Sequence, residues 1–128
     1  MDLTTLRYAK SHEWARLDGD TCTVGITKFA VDQLTDVTYL KLPNVGAAVA
    51  TDAPFGEVES VKAVSDLYSP VDGVVTAVNQ KAVDDPSLLT RDPYDLGWLI
   101  KVKVAPGTTL AHLLTLDRYE QQIASEGH

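Results

Sequence analysis

The sequence predicts a mainly β fold: a β-sandwich or flattened barrel with short helices and a C-terminal helical cap. Short apolar-alternating runs recur between turn signals at Asp18-Gly19-Asp20, Pro43-Asn44, Ser69 to Gly73 and Pro106-Gly107. Helical spacing is confined to short pieces until the tail, where the period changes. At 128 residues and 45% apolar, residues 1–128 read as one domain that can bury a core without disulfides.

The chain starts extended at Leu6-Arg7-Tyr8 and again at Ser11 to Leu17, with Trp14 and Leu17 facing the core. Thr21 to Ile26 follows as a strand, and period-two alternation puts Cys22, Val24 and Ile26 on one face. Thr27 is suited to cap a short helix over Lys28–Leu34, with Ala30, Val31 and Leu34 on its apolar side. Val37 to Leu42 alternates as a second strand until Pro43 breaks it, and a turn with a short strand spans Val45 to Val49. The runs Gly56 to Val61 and Ala63 to Tyr68 mirror each other about Lys62, which predicts a hairpin over about 56–68. Its turn lacks the usual Asn-Gly or Asp-Gly signal.

Beyond the hairpin, Val74 to Val78 is a strand, and Asn79 to Asp85 is a polar connection. Asp85 as N-cap with Pro86 at the first helical position opens a short helix through Leu88 and Leu89. An irregular loop over Arg91 to Gly97 leads to a strand over Trp98 to Val104. Alternation sets Trp98, Ile100, Val102 and Val104 on one face of it, with Leu99, Lys101 and Lys103 on the other. The helical tail is expected over about 108–125: Thr109 to Leu114, then Arg118 to Ala124, with Asp117 and Glu120 in capping-box positions. Leu116, Tyr119 and Ile123 form its apolar stripe, and Ser125 to His128 should fray.

Eighteen acids against eleven bases give a net charge of −7, which repels nucleic acid and anionic membranes unless a basic patch intervenes, and no Lys/Arg run supplies one. A single cysteine excludes an internal disulfide and a Cys-based zinc site. No apolar run approaches membrane-spanning length, and MDLTTLRYAK lacks the regions of a signal peptide. A cytoplasmic chain is expected, and a mature mitochondrial form stripped of its presequence would read the same way.

Enzymatic constellations are missing. His12, His112 and His128 are scattered without metal-ligand spacing, and there is no G-x-S-x-G or phosphate-binding glycine loop. Glu57 and Glu59 share a strand face as solvated acids. Cys22 reads as a small buried apolar group, since no neighbouring base would activate it. Lys62 would stand clear of the protein at the hairpin's turn, between the modest side chains of Val61 and Ala63, and taken alone a lysine there reads as a solvated charge.

The stretch Gly56-Glu-Val-Glu-Ser-Val-Lys-Ala63 resembles the modification hairpin of lipoyl-bearing domains, in particular that of the glycine cleavage system H-protein family. The resemblance continues through Tyr8-Ala-Lys-Ser-His-Glu-Trp14, Val24-Gly-Ile-Thr27, Leu42 to Gly46, Ser65 to Gly73, Val78-Asn79, Asp92-Pro-Tyr94 and Gly97-Trp98. Ordinary lipoyl domains typically carry Asp-Lys-Ala at the turn and biotinyl domains Met-Lys-Met, and neither has the Ser11-His-Glu-Trp14 segment. Thr35-Asp36-Val-Thr38 departs from the Gly-Asp/Glu-Val-Val-like run of most H proteins, and Lys41 departs from a more usual acid or neutral residue.

The resemblance implies the lipoyl/biotinyl-type barrel-sandwich fold and a non-enzymatic carrier with (R)-lipoate in amide linkage to Lys62. It would be loaded by a lipoate ligase or lipoyl transferase and act as a monomer. Its implied partners are the pyridoxal-phosphate glycine decarboxylase (P-protein), the aminomethyltransferase (T-protein) and dihydrolipoyl dehydrogenase (L-protein). It would take an aminomethyl group from the first, give it up at the second and be re-oxidised by the third. The family is understood to fold the loaded arm into a cleft. Ser11 and Glu13 are the expected partners of its ammonium, with Asp66 a third, against the alternative that Glu13 pairs with a surface lysine. Relay of lipoyl groups to other lipoyl domains, an unmodified interaction module, and an enzyme using Cys22 and His12 are the competing readings.

Overall fold

The strands that alternate in sequence pair into two antiparallel sheets, which the computed structural model describes over residues 2–126. β1 (Arg7–Tyr8), β2 (Glu13–Asp18) and β3 (Thr21–Ile26) form a meander that turns at Gly19, where φ is 64°. That sheet continues through β9 (Ile100–Lys103) and β8 (Gly73–Val78) to β5 (Ala48–Val49). The second sheet holds β4 (Val37–Lys41), β6 (Pro54–Ser60) and β7 (Val64–Tyr68), with β6 in the middle. Neither sheet closes into a barrel. Val24, Ile100 and Val102 of the first and Leu40, Val58 and Leu67 of the second are buried together in one apolar cluster.

A second cluster lies under the C-terminal helix α4 (Leu116–Glu126), where Leu6, Tyr8, Trp14 and Tyr119 are buried. β2 is therefore covered on both faces, Trp14 in this cluster and Ala15 in the main one. Trp14 sits directly opposite Gly25, where an added Cβ would lie 2.3 Å from the indole. The predicted stripe of Leu116, Tyr119 and Ile123 is the face that seals this cluster.

Local contacts change several expectations. A bulge between Val37 and Tyr39 breaks the alternation of β4, so that Val37 and Leu40 are buried while Tyr39 is exposed. The segment after β8 is not merely polar. It forms α2 (Gln80–Asp84), which buries Ala82, while the Asn79 amide donates to the carbonyls of Leu96 and Trp98. β9 begins at Ile100, although Leu99 already donates to Val24 O at 2.8 Å and accepts from Asn79 N at 3.0 Å, and Leu99 is buried instead of sharing the lysines' exposed face. α3 (Ser87–Arg91) is capped at Pro86, not Asp85, whose carboxylate accepts instead from Ser87 Oγ and Arg91.

In the tail, residues 105–113 are turns and not helix, and α4 starts only at Leu116. Leu114 exchanges both backbone hydrogen bonds with Tyr8, at 2.9 and 2.8 Å, which commits its peptide groups to strand-like pairing. Thr115 takes the capping position, accepting from Arg118 N, so the Asp117–Glu120 capping box does not form. The expected fraying from Ser125 is met by helix through Glu126, and Gly127 and His128 lie outside the described residues.

α1 (Lys28–Leu34) has the predicted cap, with Thr27 Oγ1 accepting from Ala30 N. It ends at Thr35, held at φ 64° and ψ −123°, a region that a β-branched residue adopts only with strain. Two outcomes are expected from urea unfolding. Thr35→Gly should raise stability by about 1 kcal/mol, and Gly25→Ala should lower it by about 3 kcal/mol as the indole is forced off β3.

Candidate functional site

The hairpin of β6 and β7 pairs Glu59 with Val64 and Val58 with Ser65. Its symmetry axis falls between Val61 and Lys62, half a residue from the axis through Lys62 that the mirrored sequence predicted. Ser60 N donates to Ala63 O at 2.8 Å, closing a turn with Val61 and Lys62 at its two central positions. Neither has positive φ. The Ser60 hydroxyl accepts from Lys62 N and Ala63 N at 3.3 and 3.2 Å, which explains how the turn forms without an Asn-Gly signal. Val61 N also donates to Asp36 O, fastening the tip to the residue before β4. Lys62 is exposed at the end of this braced turn.

Beneath it lies a cavity of about 260 Å³. One wall is Ser11, His12 and Glu13; another is Phe29, Ala30, Gln33 and Leu34 of α1; the hairpin supplies Val58, Lys62, Ser65 and Asp66. A more open depression lined by Phe29, Asp32, Gln33 and Lys62 adjoins it. The structure thus brings all four predicted site residues, Lys62, Ser11, Glu13 and Asp66, around one space. Phe29 and Gln33 were not singled out in the sequence. Their i, i+4 spacing on α1 is the only signal they give, and it lies beside the apolar stripe rather than on it. A larger cavity of about 480 Å³ shares Ser11 but does not reach Lys62.

Glu13 is the unusual member. It is 1% exposed, its carboxylate accepts from Ser11 Oγ and from Tyr68 N at 3.1 Å, and among the described residues no cation lies within ion-pair distance. The surface ion pair with a lysine is therefore not formed. Burial pushes the carboxyl up to about 7, against the opposing hydrogen bonds from Ser11 and Tyr68. Asp66 is exposed at the cavity's hairpin side.

The other candidates sit elsewhere. Cys22 is fully buried in the main core, where burial pushes its thiol up to about 12, and it does not line the cavity with His12. His112 Nε2 is tied to the Pro70 carbonyl at 2.7 Å. What the site offers is an exposed amine on a braced turn, a cavity beside it, and a buried carboxyl with no cation within ion-pair distance among the described residues.

The family model for the glycine cleavage H-protein matches residues 6–126. The chain belongs to this family. Relatives from Microcystis aeruginosa and Haloarcula marismortui, a glycine cleavage system H protein and a probable one, are 49% and 50% identical; they align over 94% and 92% of this chain and 93% of their own length. The crystal structure of a glycine cleavage system H protein from Mycobacterium marinum matches with a TM-score of 0.88 at 38% identity, over 94% of this chain and 98% of that one. The fold expected from the sequence is the fold of this H-protein family.

A buried carboxyl raised to about 7 makes this H-protein-family chain sensitive to pH in a defined direction. The folded form holds a proton that the unfolded chain, with an ordinary glutamate near 4.3, has already released. Stability from Glu13 is complete below pH of about 4.3 and is lost as pH rises through about 7. Unfolding of the wild type should therefore become easier across that window, by on the order of 3–4 kcal/mol. Glu13→Gln should remove this slope in denaturation series at pH 4.5 to 8.

Proposed function

We propose that the chain is the lipoyl carrier of glycine cleavage, with (R)-lipoate in amide linkage to Lys62 Nζ, and that it is not itself an enzyme. The observation that carries this is the pairing of an exposed, braced Lys62 with a cavity whose most buried polar lining residue is Glu13, a carboxyl with no cation beside it among the described residues. The residues present fit such an arm: Lys62 supplies a free amine for acylation, and Phe29, Val58 and Leu34 supply apolar wall for a hydrocarbon chain.

When bound, lipoate would supply a disulfide able to accept an amine-bearing one-carbon unit on one of its sulfurs, and it would be left as a dithiol only once that unit has been handed on. The chain's own residues handle the charge that this unit brings. An ammonium removed from water needs an anionic acceptor, and Glu13 is held in place for it by the Ser11 hydroxyl and the Tyr68 amide. A cation beside Glu13 favours its ionised form, so arrival of the ammonium should release a fraction of a proton near neutral pH. Asp66 adds a second carboxylate at the hairpin side, and the apolar walls limit water. The sheltered group would be kept from hydrolysis between enzymes.

The same reading assigns as partners a lipoate ligase or lipoyl transferase and then the P-, T- and L-proteins in turn. It also takes the chain to be a monomer, cytoplasmic or, as a mature form stripped of a presequence, mitochondrial. Among the described residues no helix is long and apolar enough to cross a membrane.

Intact-protein mass after co-expression with a lipoate ligase and lipoate tests the attachment. One lipoyl addition is expected in the wild type and none in Lys62→Arg; an unmodified wild type beside a modified control lipoyl domain would defeat the proposal. Glu13→Ala should leave that addition intact while releasing ammonia and formaldehyde from the loaded protein about tenfold faster or more, the equivalent of about 1.4 kcal/mol or more. Equal release rates would remove Glu13 from this role.

A further inference from the structure

α4 does not line the cavity beneath Lys62, yet one of its side chains joins two of the cavity's walls. The Tyr119 hydroxyl lies 2.8 Å from His12 Nδ1 and 2.6 Å from Thr27 Oγ1. His12 sits between Ser11 and Glu13, in the turn where His12 N donates to Ala9 O. Thr27 caps α1, whose residues form the facing wall. The two walls also meet through the backbone, Thr27 N donating to His12 O at 3.0 Å.

We infer that Tyr119 is a positioning residue for the arm cleft, its hydroxyl fixing the turn that carries Ser11 and Glu13 to the start of α1. The inference rests on the carrier reading for its purpose but not for its geometry. His12 has φ 81°, a conformation that a non-glycine residue keeps only when its surroundings hold it. Those surroundings are mostly α4. Glu126 lies 3.1 Å from His12 Nε2, and the Gln122 amide donates to Lys10 O at 2.9 Å. On the other side the imidazole meets the Phe29 ring, with centroids 5.2 Å apart.

The hydrogen bonds run in one direction when the imidazole is neutral, the state that its burial favours over the pull of Glu126. Thr27 donates to the phenol oxygen, the phenol donates to Nδ1, and Nε2–H donates to Glu126, so every polar atom is satisfied. Tyr119 itself is immobilised by stacking on Tyr8, centroids 4.7 Å apart and planes 9° from parallel. Losing the hydroxyl would leave Nδ1 and Thr27 without their shared partner while keeping the ring. Glu13, next in the chain, would then gain access to water.

The test is Tyr119→Phe, followed in the unlipoylated protein by carbon-13 NMR titration of the Glu13 carboxyl. The control is Tyr8→Phe, which removes the hydroxyl of the stacked neighbour, bonded to Leu3 O and not to the cavity walls. Tyr119→Phe should move the Glu13 midpoint toward the ordinary carboxylate range by about one unit, and Tyr8→Phe should leave it in place. An unmoved Glu13 in Tyr119→Phe, or the same movement in both variants, would overturn the assignment. In lipoylated and loaded protein, Tyr119→Phe should also hasten amine release about five- to tenfold, with lipoylation at Lys62 unchanged. A Glu13 that moves in a chain that cannot be lipoylated would uphold the positioning role and refute the carrier reading.

Discussion

The Trp14 indole lies where a side chain on Gly25 would be, and much of the site follows from that contact. It locks the register of β2 on β3, because a slip by one residue would drive the indole into the Val24 or Ile26 side of the strand. The same register sets Glu13 opposite Ile26, at the end of β2 that borders the cavity. Burial on both faces of β2 makes the arrangement costly to change. An acid that would otherwise stay in water is thereby held inside, next to a large aromatic that cannot move.

The carrier reading proposed above sets the site two opposite demands. An amine that must be reached by other proteins has to stand in solvent, while a labile cationic group has to be kept from it. The hairpin answers the first with a turn braced by Ser60 and by the Asp36 carbonyl. The second is answered by residues remote in sequence: the 9–13 turn, α1 and the hairpin's inner face. Because burial disfavours the anion, Glu13 keeps its proton to higher pH than an exposed glutamate, and a cation beside it would favour the ionised form.

Much of the fold was legible because local patterns coincided with tertiary ones. Cys22, Val24 and Ile26 of β3 are in the main core as their alternation requires, though Thr23 and Gly25 are covered as well; α1 has its Thr27 cap, and the stripe of Leu116, Tyr119 and Ile123 seals the second cluster. The departures share a cause, which is a contact from far along the chain. The Asn79 amide gathers the Leu96 and Trp98 carbonyls, Tyr8 pairs with Leu114 where helix was expected, and a bulge shifts β4 out of its period. Lys62, Ser11, Glu13 and Asp66 could be named only through the family resemblance, since nothing in their spacing brings residues 11–13 to residue 62. Phe29, Gln33 and Tyr119 were invisible as site residues because an aromatic or amide on a helix face looks the same whether it borders core, cavity or solvent.

The glycine-free turn at Val61-Lys62 has a further consequence, for encounter geometry. With Ser60 bonding two successive amides and no residue of positive φ, the turn has little backbone freedom to give up when another protein closes over it. On the carrier reading proposed above, every enzyme acting at Lys62 would meet the same stiff knuckle, flanked by the exposed valines 61 and 64. Adaptation between dissimilar active sites then falls to the lysine's own methylenes and whatever they carry, and the protein works as a fixed handle with a flexible reach.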